Sequence, residues 1–75
     1  MKKIMDQYGD FRDGQVLRER IGETNRFKTI ICKGIYTDGK GDYFAGFMQL
    51  DIKATKKAGK PIVSGTSQFW FEKLL

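Results

Sequence analysis

The chain has 75 residues, with 14 Lys and Arg against 9 Asp and Glu, one Cys, one Pro and no His. That length holds one small domain whose core is marginal. With 40% hydrophobic and 31% charged residues, it reads as a folded domain and not a disordered tail.

The residue inventory removes whole classes of chemistry. Without histidine there is no Ser-His-Asp or Cys-His nucleophile and no imidazole base or metal ligand. A zinc site needs several Cys or His, and Cys32 stands alone. No cofactor is expected, and the expectation is a non-enzyme. An enzyme acting through Asp38, Asp42 or Asp51 is the least favoured reading. Cys32 has no partner for an internal disulfide, which small secreted domains usually carry, so a reducing, cytoplasmic setting is expected. No apolar run approaches the roughly 20 residues of a membrane-spanning helix, and the basic opening Met1-Lys2-Lys3 has no apolar segment after it.

Residues 1–14 mix Asp6, Gly9, Asp10, Asp13 and Gly14 with Ile4, Met5, Tyr8 and Phe11. Turn formers at this density predict an irregular N-terminal arm with Tyr8 and Phe11 docking on the body. The Asp spacing does not match an EF-hand loop.

Residues 15–75 form one small β domain in this reading. Runs rich in Val, Ile, Thr, Phe and Tyr lie between Gly, Asp and Asn clusters. Strands are expected at Gln15–Ile21, Arg26–Tyr36, Tyr43–Ala54 and Thr66–Lys73, with a fifth, edge strand at Pro61–Val63. The expected fold is all-β: a small antiparallel meander of four to five strands curling toward an SH3-like or OB-like barrel. The glycines of Asp38–Asp42 lack the spacing of a phosphate loop, so a turn is expected there.

Register follows from alternation. In Tyr43–Ala54 the even positions, Phe44, Gly46, Met48, Leu50, Ile52 and Ala54, are all apolar or glycine. A four-residue loop, Asp38–Gly41, sets Ile35 against Phe44, Ile31 against Met48 and Phe27 against Ile52. It also sets Tyr36 against Tyr43, Cys32 against Phe47 and Lys28 against Asp51. A two-residue Asp38-Gly39 turn is the rival register. A three-residue loop, Glu23–Asn25, with Asn25 left-handed, brings Leu17 and Ile21 to the inner face. The same parity points Glu19 inward, an awkward place for a carboxylate. In the last strand Phe69 and Phe71 are expected inside and Trp70 outside.

The outer face of this register carries Arg18, Arg20, Lys28 and Lys53 with Tyr36, Tyr43 and Phe47, and Trp70 beside them. Residues 1–25 hold five basic and five acidic side chains, so the net +5 lies entirely beyond them. Lys53, Lys56, Lys57 and Lys60 follow one another with no acid before Glu72. Rings on which bases stack, flanked by cations for phosphates, suit single-stranded nucleic acid. The expected function is therefore a nucleic-acid-binding module, preferring single-stranded DNA or RNA with low sequence specificity. Arg18, Arg20, Lys28, Lys53, Lys56, Lys57 and Lys60 would meet phosphates; Tyr36, Tyr43, Phe47 and Trp70 would stack. Two rivals use the same residues. Ile30, Cys32 and Phe47 form a second small core under Tyr8 and Phe11, or the face binds protein. The second makes the chain a regulator or inhibitor, of the kind a phage or other mobile element carries against a host protein. An open strand edge also leaves room for a homodimer.

Overall fold

The computed structural model describes residues 1–74; Leu75, the last residue of the expected β domain, lies outside them. The chain runs β1 (Lys2–Met5), β2 (Gln7–Tyr8), β3 (Phe11–Arg12), β4 (Val16–Arg20), β5 (Phe27–Thr37), β6 (Tyr43–Gln49), α1 (Ile52–Ala58) and β7 (Trp70–Lys73). An antiparallel five-stranded sheet is built on β5. β6 and then β7 lie on one side of it, and β1 and β4 share its other side. The antiparallel meander is as expected, but the sheet stays open: β7 ends one edge and β1 with β4 ends the other.

The N-terminal segment is more regular than its turn formers suggest. β1 pairs with the end of β5, setting Lys3 against Tyr36 and Met5 against Ile35, and β2 and β3 form a small hairpin of their own. Lys3 ties the segment together, its ammonium meeting Asp6 at 3.1 Å and also Asp13. Those two carboxylates, Asp13 foremost, hold the Lys3 pKa well above the usual lysine range.

The β5–β6 register is the expected one at Ile30–Gln49, Ile31–Met48 and Cys32–Phe47. It then slips by one residue, giving Ile35–Ala45, Tyr36–Phe44 and Thr37–Tyr43. The slip is a bulge at Lys33-Gly34, with Gly34 at φ 105°, a conformation that suits glycine. A bulge inverts parity beyond it, so Ile35 joins the Cys32 face and Tyr36 leaves it.

The β4–β5 pairing is also one residue off the expected register. Ile21 donates its N–H to the Arg26 carbonyl at 2.9 Å, closing a four-residue loop from Gly22 to Asn25. Gly22 takes the positive φ expected of Asn25. Leu17 therefore faces Ile30, Arg18 faces Thr29 and Arg20 faces Phe27.

The N-terminal segment decides which face is the interior, because Met5 and Phe11 cover the Cys32–Phe47 side. The main buried cluster is Ile30, Cys32, Ile35, Ala45 and Phe47, with Met5, Phe11, Leu17, Trp70 and Leu74 packed on it; Ile31 and Leu50 are buried outside that cluster. Phe11 from the β2–β3 hairpin meets Phe47 edge-on at 5.7 Å, and Tyr8 meets Tyr43 at 5.6 Å. We call this the hairpin face. On the other side, the helix face, Tyr36, Phe69 and Phe71 form a cluster of edge-to-face contacts at 4.9–5.5 Å. It lies on Gly46, where a side chain would collide with Phe69 and Tyr36.

Residues 52–54, expected as strand, are helix. Asp51 caps it by accepting the Ala54 N–H at 3.0 Å, and Gly59 closes it in the left-handed conformation at φ 70°. β6 therefore ends at Gln49, and the expected Phe27–Ile52 and Lys28–Asp51 pairs do not form. Thr55 Oγ1 donates to the Ile62 carbonyl and accepts its N–H, fastening the following loop to α1. The expected edge strand at 61–63 shrinks to one bridge, Val63 with Leu50.

Candidate binding surface on the helix face

The residues expected to form one aromatic and cationic platform are divided between two faces. Phe47 is 1% exposed and sealed in the core, so no base can stack on it. Trp70 is half-buried, tilted against Phe47 at 5.9 Å, and Lys28 lies over its ring at 4.7 Å. Tyr36 is half-buried on the helix face among Phe69 and Phe71, and its hydroxyl donates to the Lys33 carbonyl at 3.3 Å. Tyr43 alone of the four keeps substantial exposure, 37%, beside Tyr8 on the hairpin side. The stacking platform expected from parity is thus dismantled by the bulge, which moves Tyr36 to the helix face, and by the β2–β3 hairpin, whose Phe11 meets Phe47. Of the rival expectation, Ile30, Cys32 and Phe47 do form a core under Phe11, whereas Tyr8 lies beside Tyr43 and stays exposed.

The cations separate in the same way. The β4 register puts Arg18 and Arg20 on the helix face, and Lys28 on the hairpin face. Lys53, Lys56 and Lys57 lie on α1, and Lys60 follows it. Among the described residues, none of these seven is in an ion pair; the pairs formed involve Lys3 and Lys73.

One exposed aromatic that parity assigned to the interior lies on the helix face with the two arginines. Phe27, 43% exposed, has the Arg18 guanidinium 4.5 Å from its ring centre and that of Arg20 at 5.8 Å. Such contacts are worth about 0.5–1 kcal/mol each at an exposed site and hold the two arginines over the sheet. Beside them Val16, Thr29, Leu50, Ile52, Thr55 and Lys56 line an open cleft of about 140 Å³. Val16 and Ile52 are 47% and 48% exposed, so aliphatic surface reaches solvent here. The sequence signal for this cleft was the Asp51…Gly59 bracket of a helix, which carries Ile52 and Lys56 back toward Val16.

β4 is also an open edge. Cys32 donates to the Gln15 carbonyl, and Ile21 to that of Arg26, each at 2.9 Å. Odd-numbered residues of this strand therefore bond to β5. Val16, Arg18 and Arg20 direct their main-chain N–H and C=O groups outward, away from the sheet.

The described residues contain no cluster of metal-ligating side chains and no helix long and apolar enough to cross a membrane. Cys32 is fully buried, and burial raises its pKa above the usual thiol range. Comparison with known proteins finds no matching family model, no matching curated protein and no matching solved structure.

Proposed function

We propose that the chain is a non-enzymatic binding protein whose partner is another protein, engaged on the helix face along β4. One observation carries this reading: an unpaired strand edge, an aliphatic cleft and two arginines that form no ion pair among the described residues occupy the same corner of the fold. A cleft of about 140 Å³ is below the roughly 300–1,000 Å³ of small-molecule sites and suits a single side chain of a larger partner. Apolar surface with Arg and an aromatic at its centre is also the usual make-up of a protein interface. The test is capture on the immobilised chain from nuclease-treated lysate, beside the double variant Arg18→Glu, Arg20→Glu. A stoichiometric protein retained by the wild type and lost by the variant is expected. Retention by both, or release by nuclease, overturns the reading.

A second reading, single-stranded nucleic acid, keeps one specific support: the lysines of α1 and its loop, with no acid between Ile52 and Phe71. Here phosphates would meet Arg18, Arg20, Lys53, Lys56, Lys57 and Lys60, with Phe27 in place of the buried Phe47. Anisotropy of a labelled oligonucleotide then falls steeply with salt and drops on Phe27→Ala. Binding that ignores Phe27→Ala and treats duplex and single strand alike removes it.

A further inference from the structure

We propose that β4 takes up an extended acidic segment of the partner as an added antiparallel strand, with one aliphatic side chain of that segment in the cleft beside Val16. The proposal rests on the protein-binding reading above and names the partner's chemistry.

Among the described residues, the five-stranded sheet has three strands open at an edge, β1, β4 and β7. β1 is interrupted by an irregularity between Lys3 and Met5, which spoils a continuous ladder. β7 is four residues long, and its Lys73 is engaged with Asp42 at 3.6 Å. β4 offers five regular residues, with the outward main-chain groups of Val16, Arg18 and Arg20 evenly spaced along it.

The side chains of those same three residues lie on the helix face, so an added strand meets them in order. Residues facing Arg20 and Arg18 would be acidic, because the two guanidiniums there form no ion pair among the described residues. The residue facing Val16 would be aliphatic. Its side chain leans over Val16 onto Leu50 and Ile52, walls that hold no aromatic ring on which a base could stack. Lys56 at the rim, with Lys53 and Lys57 on the same helix, extends the positive field over the incoming chain. Running antiparallel, the segment reads acid, any, acid, any, aliphatic. A second copy of this chain is a poor occupant: β4 paired on itself in full register sets Arg18 against Arg18, and like charges directly opposite are unfavourable.

The experiment uses the full chain, isotope-labelled, titrated with blocked peptides containing Glu-Thr-Glu-Thr-Leu. Amide resonances are followed by NMR and affinity by anisotropy of a labelled copy. Expected are shifts and slowed hydrogen exchange at the amides of Val16, Arg18 and Arg20. Affinity should fall about tenfold or more for the scrambled peptide and for the Arg18→Glu, Arg20→Glu variant. Methylating the main-chain nitrogens of the peptide that face β4 should abolish binding while leaving its charge intact. Equal affinity for scrambled, methylated and parent peptides, perturbation confined to other residues, no binding at all, or displacement by an oligonucleotide of the same charge would each overturn the proposal. Capture of a protein partner that survives these negative results would leave the protein-binding reading standing and sink only the strand-addition mode.

Discussion

Replacing Gly46 by alanine probes the aromatic cluster of the helix face. A methyl group there falls 2.7 Å from Phe69 Cζ and 2.8 Å from Tyr36 Cε1. Carbon atoms rest comfortably at about 3.5–4.0 Å, so each ring must retreat by about 1 Å. Phe69 is partly exposed and can swing outward. Tyr36 has less freedom, with Phe71 at 5.1 Å and its hydroxyl on the Lys33 carbonyl. Overpacking of this kind costs about 1–3 kcal/mol. The backbone at Gly46 is not in the positive-φ region, so alanine also narrows the unfolded ensemble, which returns about 0.4–1 kcal/mol. The net expectation is a loss of about 1–2 kcal/mol, or roughly 5–15 °C in Tm for a domain this small. Urea unfolding followed by Trp70 fluorescence measures it. In the background of Phe69→Ala the same substitution should cost about 1 kcal/mol less, because one of the two colliding rings is gone. A stability that is unchanged or raised, or a cost that persists in full without Phe69, would refute the packing of these rings on Gly46.

Phe47→Ala should lose about 3–5 kcal/mol, enough to leave the domain largely unfolded, as seen by circular dichroism; a folded variant would contradict its place in the core. One carboxylate oxygen of Glu19 is buried without a hydrogen-bond partner, because Lys28 opposite it lies over Trp70. Glu19→Val should therefore raise the urea midpoint, by about 0.5–2 kcal/mol in stability, and a lowered midpoint would refute this. Cys32 should react with a thiol reagent roughly a thousandfold or more slowly in the native than in the urea-unfolded chain. Burial raises the folded Cys32 pKa above its unfolded value. The unfolded thiol thus ionises first, and this group's contribution to stability should decline as pH rises beyond about 8.5. A Cys32→Ser variant would lack that decline, whereas an identical decline in the variant would assign it to another group.

The fold was largely legible because Val, Ile, Phe and Tyr runs broken by Gly and Asp write strands directly, and the Cys32–Phe47 register follows from hydrophobic matching. What alternation could not reveal was which face is the interior. Both faces of β5 and β6 are apolar, so parity was satisfied either way, and the decision rests on Phe11 and Met5, which arrive from a segment written in turn residues. The Gly34 bulge was marked only by a glycine within a strand, and it exchanged the sides of Ile35 and Tyr36. Glu19 signalled a strained position in both registers. The helix was hidden because Ile52 and Ala54 continue the strand alternation, while Asp51 and Gly59 frame a helix of seven residues. Of the candidate site, Arg18, Arg20 and Lys56 were named from the sequence, whereas Phe27, Val16 and Ile52 converge only when β4 and α1 are placed.

The binding surface exists only if Phe27 faces solvent and Phe47 the interior, and a soluble paramagnetic agent reads this directly from phenylalanine ring protons. With Phe27 open beneath its arginines and Phe47 sealed below the N-terminal hairpin, strong relaxation enhancement is expected at Phe27 and almost none at Phe47. Strong enhancement at Phe47 with protection at Phe27 would restore the parity-based platform and contradict the binding surface described above.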